Sequence, residues 1–479
     1  MRSAVTRVLG AGLTVVAVTT ALVLSLAACT TDSSSSPNPP PETSSAPSSP
    51  SEPVKLTFGV YGSPDEVAAY TDMARHFDST TERAEVDVEH WKGHDGLRTA
   101  VERGDPLPDV FLVSRRDMRW YLDNQLTRPV DSLLDERGVD FGDVYSRDAL
   151  TAFSADNRLQ CMPYGVAPQV VFYNEDLVDF ERMELRGLEV PNDHKRWSWD
   201  EFVAAAEFAA RPSKGTKGVS VEPTLPGIAP FVYSGGGDLF DDDSDPTSLA
   251  FSGEGTQAAL QTMLTLFRDP KLTLTEEQLA EKPALEWFEA GKLGMITGSR
   301  ALVPQLRKVP ALHWDVMPIP TIDSQATTGE ISALCISATA VSPATAADFL
   351  VYATSTDAVT EVAKRGYLQP ANQEVAYSDD FLQPDQAPLS ATVFNDALGK
   401  MAIPPLLDTW DDLDDVVAPY LQQLFYGAPI LDLAAVGQDI DLASQPILNP
   451  ETATPSPTDG TQSPSDATTG SPTGSPSGY

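Results

Sequence analysis

Two patterns in this chain have the residue types and spacing to hold a metal: His90 and His94, four apart, and Asp241, Asp243 and Asp245 at alternate positions. Neither pattern completes. Gly93 and Gly96 disfavour a regular helix around the histidines, so a solvated loop is expected there. A calcium loop opened by Asp241 needs Gly where Pro246 stands and a bidentate Glu where Ser252 stands. That leaves a hydrated acidic loop after Gly235-Gly236-Gly237, and no metal site is expected. Signatures of nucleophilic, metalloprotease and phosphate chemistry are missing too: there is no G-x-x-x-x-G-K-[ST], H-E-x-x-H or G-x-S-x-G, and no Ser three residues ahead of any Lys. Among 69 carboxylates some pair always looks like an acid/base couple, so glycosidase chemistry stays open on composition but gains no positive support.

Other residues point to binding rather than turnover. Val54, Leu56, Phe58 and Val60 alternate with polar or small residues as a strand, and Ser63-Pro64-Asp65-Glu66 then reads as a capping box with Pro at the first helical position. Val67, Tyr70, Ala74 and Phe77 recur at helical spacing. Val86 and Val88 mark a second strand, Leu97 and Val101 a short helix, and Asp109 to Ser114 a third, more apolar strand. Strand-helix-strand repetition predicts a parallel sheet and an α/β fold. In such sheets ligands bind beyond the carboxyl ends of the strands, which nominates Tyr61, Trp91, Arg115 and Arg116.

The composition bounds the partners. The chain has 479 residues, 32 Lys plus Arg against 69 Asp plus Glu, and a formal charge of −37, a field that repels phosphate backbones. Nucleic acid is therefore not an expected partner. The 40 prolines are too many for one compact domain, so part of the chain, at its two ends, is expected to be disordered. Arg2 and Arg7 precede the mostly apolar run Val8 to Leu24, an export signal. It ends in Leu26-Ala27-Ala28-Cys29, which resembles the bacterial lipobox, whose cysteine receives diacylglycerol after cleavage. The expected organisation is a signal peptide over 1–28, a Ser/Pro-rich tether over 29–53, a folded region over 54–449 and a Pro/Ser/Thr tail over 450–479. The mature protein is then expected on the outer face of the cytoplasmic membrane, held by acyl chains on Cys29.

Further motifs carry a family resemblance across nearly all of Val54 to Asn449. In order they are Leu107-Pro108-Asp109-Val110-Phe111, Met162-Pro163-Tyr164, Val171 to Leu177, Trp199-Asp200-Glu201-Phe202, the glycine run with Asp238 and Leu239, Trp287 to Lys292 with Met295, Pro318-Ile319-Pro320, and Gly366 to Ala371. The chain resembles the extracellular solute-binding proteins of ABC importers, in the sugar-binding cluster that includes the maltodextrin-binding protein. The resemblance implies a type II periplasmic-binding-protein fold, two α/β lobes joined by hinge strands. The first lobe would comprise 54–165, the second 166–325, and 326–449 would return to the first lobe and end in helices shared by both. The first crossing is expected near Tyr164 to Tyr173 and the return near Glu330 to Ser337.

The implied function is capture of a small carbohydrate solute, by a monomer without cofactor or catalysis, for delivery to ABC permease subunits. A sensing or envelope-assembly module uncoupled from transport is the alternative. Carried over residue by residue, Trp410 matches the family's late stacking tryptophan and Glu222 a sugar-contacting carboxylate. The aromatic expected two residues after Glu222 is Thr224, a stacking tryptophan has become Arg300, and an acidic-then-Arg pair reads Arg115-Arg116. Three arginines at the implied cleft suggest an acidic ligand such as a phosphate or uronate, unless nearby acids such as Asp117 pair with them. Tyr164 and Tyr61 are assigned to the cleft, and Trp199 to the core. Finally, in the family fold the segment Gln160 to Tyr164 and the strand Ile331 to Ser337 run as neighbours near the hinge. This implies a disulfide between Cys161 and Cys335, the two cysteines left once Cys29 is lipidated.

Overall fold

A computed structural model describes residues 52–139, 144–427 and 432–450. The export signal, Cys29, the tether before residue 52 and the tail after residue 450 lie outside the described residues.

The strands assort into two main sheets. In the first lobe lie β1 (Val54–Tyr61), β2 (Ala84–Trp91), β3 (Val110–Ser114) and β4 (Thr127–Arg128). A small hairpin of β5 (Ser154–Ala155) and β6 (Arg158–Leu159) precedes β7 (Cys161–Pro168). The second lobe contains β8 (Val170–Asn174), β9 (Lys217–Ser220), β10 (Leu293–Gly298) and β11 (Trp314–Met317), and β12 (Gly329–Ser337) returns to the first. The first sheet has the order β2-β1-β3-β12-β4, with β7 also on β12, and the second β11-β8-β10-β9.

The expected strand-helix-strand units form. β1 pairs in parallel with β2 from Val54↔Ala84 to Tyr61↔Trp91, and with β3 at Phe58↔Val110. The intervening helix Pro64–Thr80 starts where Ser63 Oγ accepts the Glu66 N–H at 3.4 Å, and it buries Val67, Tyr70, Ala74 and Phe77 as their spacing requires. In the second lobe Ser198 and Glu201 form a reciprocal capping box at the head of helix Trp199–Ala209. Trp199 there packs against Phe202, Phe231 and Phe267, the core role expected of it.

Each lobe has its own interior. Phe58, Phe111, Tyr121 and Phe349 centre the first; Phe202, Phe231, Phe267 and Leu260 centre the second, whose other sheet face packs Phe172, Trp314, Phe288 and Phe394. The chain passes between the sheets at Gln169, again through 318–328, and once more through 399–409. These passages are tied together: the Gln169 N–H donates to Thr328 O (2.8 Å), the Thr327 hydroxyl to Gln169 O (2.7 Å), and the Ala402 N–H to Thr327 O (2.8 Å). A Cβ on Gly329 would lie 2.3 Å from Ala167 O, so only glycine lets the returning strand approach the outgoing one here.

Cys161 and Cys335 form a cross-strand disulfide, directly opposite in the β7–β12 register with Cα atoms 4.4 Å apart. One detail differs from expectation. The pair sits at the far end of both strands from the Pro168/Gly329 crossing, roughly 20 Å along the strand at about 3.3 Å per residue, so it staples the interior of the first lobe rather than the hinge.

Candidate ligand-binding site

The cleft between the lobes holds two adjoining cavities. The first, about 260 Å³, is lined by Arg115, Arg116, Glu330 and Ile331 of the first lobe, by the crossing residues Gln169, Thr328 and Gly329, and by Leu225, Pro226, Ala229, Tyr233, Leu239 and Ser299 of the second. Pro404, Pro405 and Trp410 close it from the third crossing. The second, about 320 Å³, shares Gln169, Pro226, Gly298 and Ser299 with the first and adds Ser220, Glu222, Thr224, Thr297 and Leu302.

Local structure explains these positions. Ser114 ends β3 and caps helix Arg115–Asp123, its Oγ accepting the Arg116 N–H (3.2 Å) and donating to Glu330 Oε2 (3.0 Å), so Arg115 and Arg116 project from a fixed corner. Thr224 caps helix Leu225–Ser234 by accepting the Gly227 N–H at 3.2 Å, and the Gln169 Nε2–H donates to Pro226 O at 2.8 Å across the lobes. Ser220 and Thr297 stand at the carboxyl ends of the parallel pair β9 and β10, where an α/β sheet presents ligand groups.

The polar groups of the first cavity are largely committed. Arg115 donates from Nε (3.3 Å) and Nη2 (3.2 Å) to Pro404 O and from Nη1 to Ala152 O, and burial pushes its pKa down to about 10. Arg116 Nη2 lies 2.7 Å from Asp414 Oδ2 and 3.6 Å from Asp411 Oδ1, and its guanidinium carbon sits 5.1 Å from the centre of the Trp410 ring. Asp117, the acid expected beside the arginines, instead holds His94 through Nδ1 at 2.7 Å; this bond raises the imidazole pKa, partly opposed by burial. In the second cavity the side chains of Ser220, Glu222, Thr297 and Ser299 make no hydrogen bond or ion pair to other described residues.

Of the residues nominated from sequence, Arg115, Arg116 and Trp410 meet at the first cavity and Glu222 lines the second. Trp410 is only 6% exposed, its edge against Phe240 and one face covered by Arg116, so it belongs to the second lobe's core as much as to the cleft. Tyr61 and Trp91 end their strands but line neither cavity. Tyr61 is half-buried near His94, and its hydroxyl pKa is raised well above the usual value by burial first, then by the Glu330, Glu66 and Asp117 carboxylates. The Trp91 ring packs over Gly59 and Gly96 instead.

Two nominations are corrected. Tyr164 is buried in the first lobe's core, its hydroxyl facing Met73 and its ring beside Tyr70; it stands at the register shift where the pairing passes from Gly165↔Ser332 to Pro163↔Ala333. Arg300 is fully buried with its guanidinium between Phe381 and Phe394, donating from Nη2 to Phe381 O at 2.8 Å; the short helical turn after Ser299 directs it away from the cleft. Asp241 accepts the Asp242, Thr247 and Ser248 amides, spending its carboxylate on its own loop.

Sequence reasoning missed Gln169, Ser220, Thr297, Ser299 and Glu330. The signal available for Ser220 and Thr297 was their place at the ends of short apolar runs. Nothing local marked Gln169 or Glu330, which matter only because the crossings bring them together.

A sequence profile described as bacterial extracellular solute-binding protein matches residues 63–360, more than half of the chain. Comparison with curated protein sequences returns no match. Among solved structures, an ABC substrate-binding protein from Listeria monocytogenes in complex with cycloalternan superposes with a TM-score of 0.70 at 20% identity, covering 83% of this chain and 99% of that one. The GacH receptor of Streptomyces glaucescens, solved unliganded and with acarbose, gives 0.66 at 18% identity over 81% and 97%. A solute-binding protein from Thermotoga lettingae bound with α-D-tagatose gives 0.67 at 17% over 82% and 100%. At these identities the likeness is one of fold: two α/β lobes around a cleft.

Proposed function

Because this chain belongs to the bacterial extracellular solute-binding protein family, we propose that it captures a carbohydrate or carbohydrate-derived solute in the interlobe cleft and delivers it to an ABC importer. The observation that carries this reading is the second cavity. Four polar side chains, Ser220, Glu222, Thr297 and Ser299, line it without a hydrogen-bond or ion-pair partner among the described residues, and a buried ligand must meet such groups with hydroxyls of its own. A carboxylate with flanking hydroxyls suits vicinal hydroxyl groups. The solved structures of like fold carry a cyclic oligosaccharide, acarbose and a ketohexose, which agrees with this chemistry.

An anionic ligand gains less support than the sequence suggested. Arg300 faces the interior, Arg115 serves two carbonyls, and Arg116 is paired with Asp414, so a phosphate would have to displace existing partners. The protein acts as a monomer tethered through acyl chains on Cys29, and closure of the lobes on the solute is what the permease reads. Without the acyl chains it would diffuse away from its permease, so Cys29→Ala should release the chain from membranes.

Isothermal titration against a panel of neutral sugars, sugar phosphates and uronates tests the reading. A neutral sugar should bind, and Glu222→Ala should weaken it by about tenfold to a hundredfold through loss of a charge-assisted hydrogen bond. The unfolding midpoint should not move, because the Glu222 side chain is exposed. Absence of binding by every sugar in the panel would reject the proposal.

A further inference from the structure

The two halves of the cleft differ in a way that a plain sugar does not satisfy. The first cavity is walled by Leu225, Ala229, Leu239, Ile331, Pro404 and Pro405. Its charged and amide side chains are largely spent, Arg115 on Pro404 and Ala152 carbonyls, Arg116 on Asp414, Gln169 on Pro226 O, and one Glu330 oxygen on Ser114, while the hydroxyls of Ser299 and Thr328 make no hydrogen bond to other described residues. The ring best suited to stacking on a pyranose, Trp410, has Arg116 over its face. A pyranose seated there would bury hydroxyls against aliphatic and proline carbons, and each one left unpaired would oppose binding. The adjoining cavity is more polar: beside Leu285 and Leu302 it presents the Ser220, Thr297 and Ser299 hydroxyls and the Glu222 carboxylate, none hydrogen-bonded to other described residues. The two are continuous through Gln169, Pro226, Gly298 and Ser299.

We propose that the ligand is amphiphilic, a glycoside whose sugar sits against Glu222, Ser220 and Thr297 and whose apolar aglycone fills the Leu225/Ala229/Leu239/Pro404 chamber. This deepens the carbohydrate reading above and rests on it. The aglycone contributes by leaving water, with affinity rising with its apolar area, while specificity for the sugar stays with the polar cavity.

Paired titrations of the purified full chain with the methyl and hexyl glycosides of glucose, galactose, mannose and maltose decide the matter. For at least one sugar the hexyl glycoside should bind about tenfold or more tightly than its methyl partner, since even partial burial of five further methylenes exceeds that. Filling the chamber with Ala229→Leu, or placing a charge at its half-exposed rim with Pro404→Glu, should bring the ratio of hexyl to methyl affinity down to about one. Two variants are used because Ala229 is buried and its enlargement could perturb the fold. If methyl and hexyl glycosides bind equally, the amphiphile proposal fails and the carbohydrate reading stands. If a hexyl preference survives in both folded variants, the chamber is not the aglycone site. If no glycoside binds, both readings fall together.

Discussion

The two walls of the cleft are built on opposite plans. On the first-lobe side, charged groups are already engaged: Arg116 with Asp414, Arg115 with Pro404 O, Glu330 with the Ser114 hydroxyl. On the second-lobe side, aliphatic side chains alternate with polar ones left open, Ser220, Glu222 and Thr297. A wall whose charges are already paired, Arg116 with Asp414 on the second lobe's helix Trp410–Tyr426, offers a ligand little, whereas unpaired hydroxyls and apolar surface change their free energy when a ligand arrives. The first lobe thus supplies a fixed backstop, and recognition is concentrated in the second.

The sharpest way to break this division is at Trp410, which sits at the boundary. As a member of the second lobe's core, with Leu413 and Val417 behind it and Phe240 at its edge, it should cost about 3–5 kcal/mol of stability when replaced by Ala, read as a lower urea midpoint. A stacking residue of the cleft alone would instead lower affinity and leave the midpoint in place.

Next in size is the staple. Replacing Cys161 and Cys335 by Ser should cost about 2–4 kcal/mol through the freed unfolded chain, while sugar affinity stays within about twofold because the bond lies at the end of β7 and β12 remote from the cleft. In the wild-type chain, unfolded without reductant, neither cysteine should take up a thiol label. A large affinity loss in the double variant would mean that the first lobe does more than hold still.

The smallest effect tests the protonation of the backstop. Burial raises the Glu66 carboxyl, which lies against Gly62 and beside Tyr70, from its ordinary 4.5 to about 7. A raised carboxyl favours the fold in its protonated form, so its contribution is present below about pH 4.5 and is lost as pH rises through about 7. Glu66→Gln should therefore stabilise the protein at pH 8 by about 1–2 kcal/mol, discounted from the full shift because the side chain is half-open to water, and change little at pH 4.

Much of the first lobe was legible in the sequence. The alternation of Leu56, Phe58 and Val60, the cap at Ser63 and the helical spacing of Val67, Tyr70, Ala74 and Phe77 are local signals, and local backbone geometry obeys them. Arg115 and Arg116 could be placed at the cleft for the same reason, since a strand end followed by a capped helix fixes where those residues emerge. The direction of a side chain within a buried strand was not legible. Tyr164 lies in a segment that the family resemblance placed near the crossing, yet it faces Met73 rather than the cleft, because it stands at the register shift between Gly165↔Ser332 and Pro163↔Ala333, where regular alternation breaks.

The remaining decisions belong to contacts between residues far apart in the chain. Arg300 stands in the second lobe's interior because Phe381 and Phe394 come to enclose it, and Arg116 meets Asp414 across nearly three hundred residues. Charge partners at that separation leave no trace in composition or periodicity. The sequence by itself determined the elements, their α/β order and the strand ends at which a ligand could bind, because these follow from steric and hydrophobic preferences acting within a few turns of chain. Which of the polar groups gathered at those ends would be left unpaired for a ligand was decided only by the tertiary structure, since a hydrogen bond is used up by whichever partner packing delivers to it first.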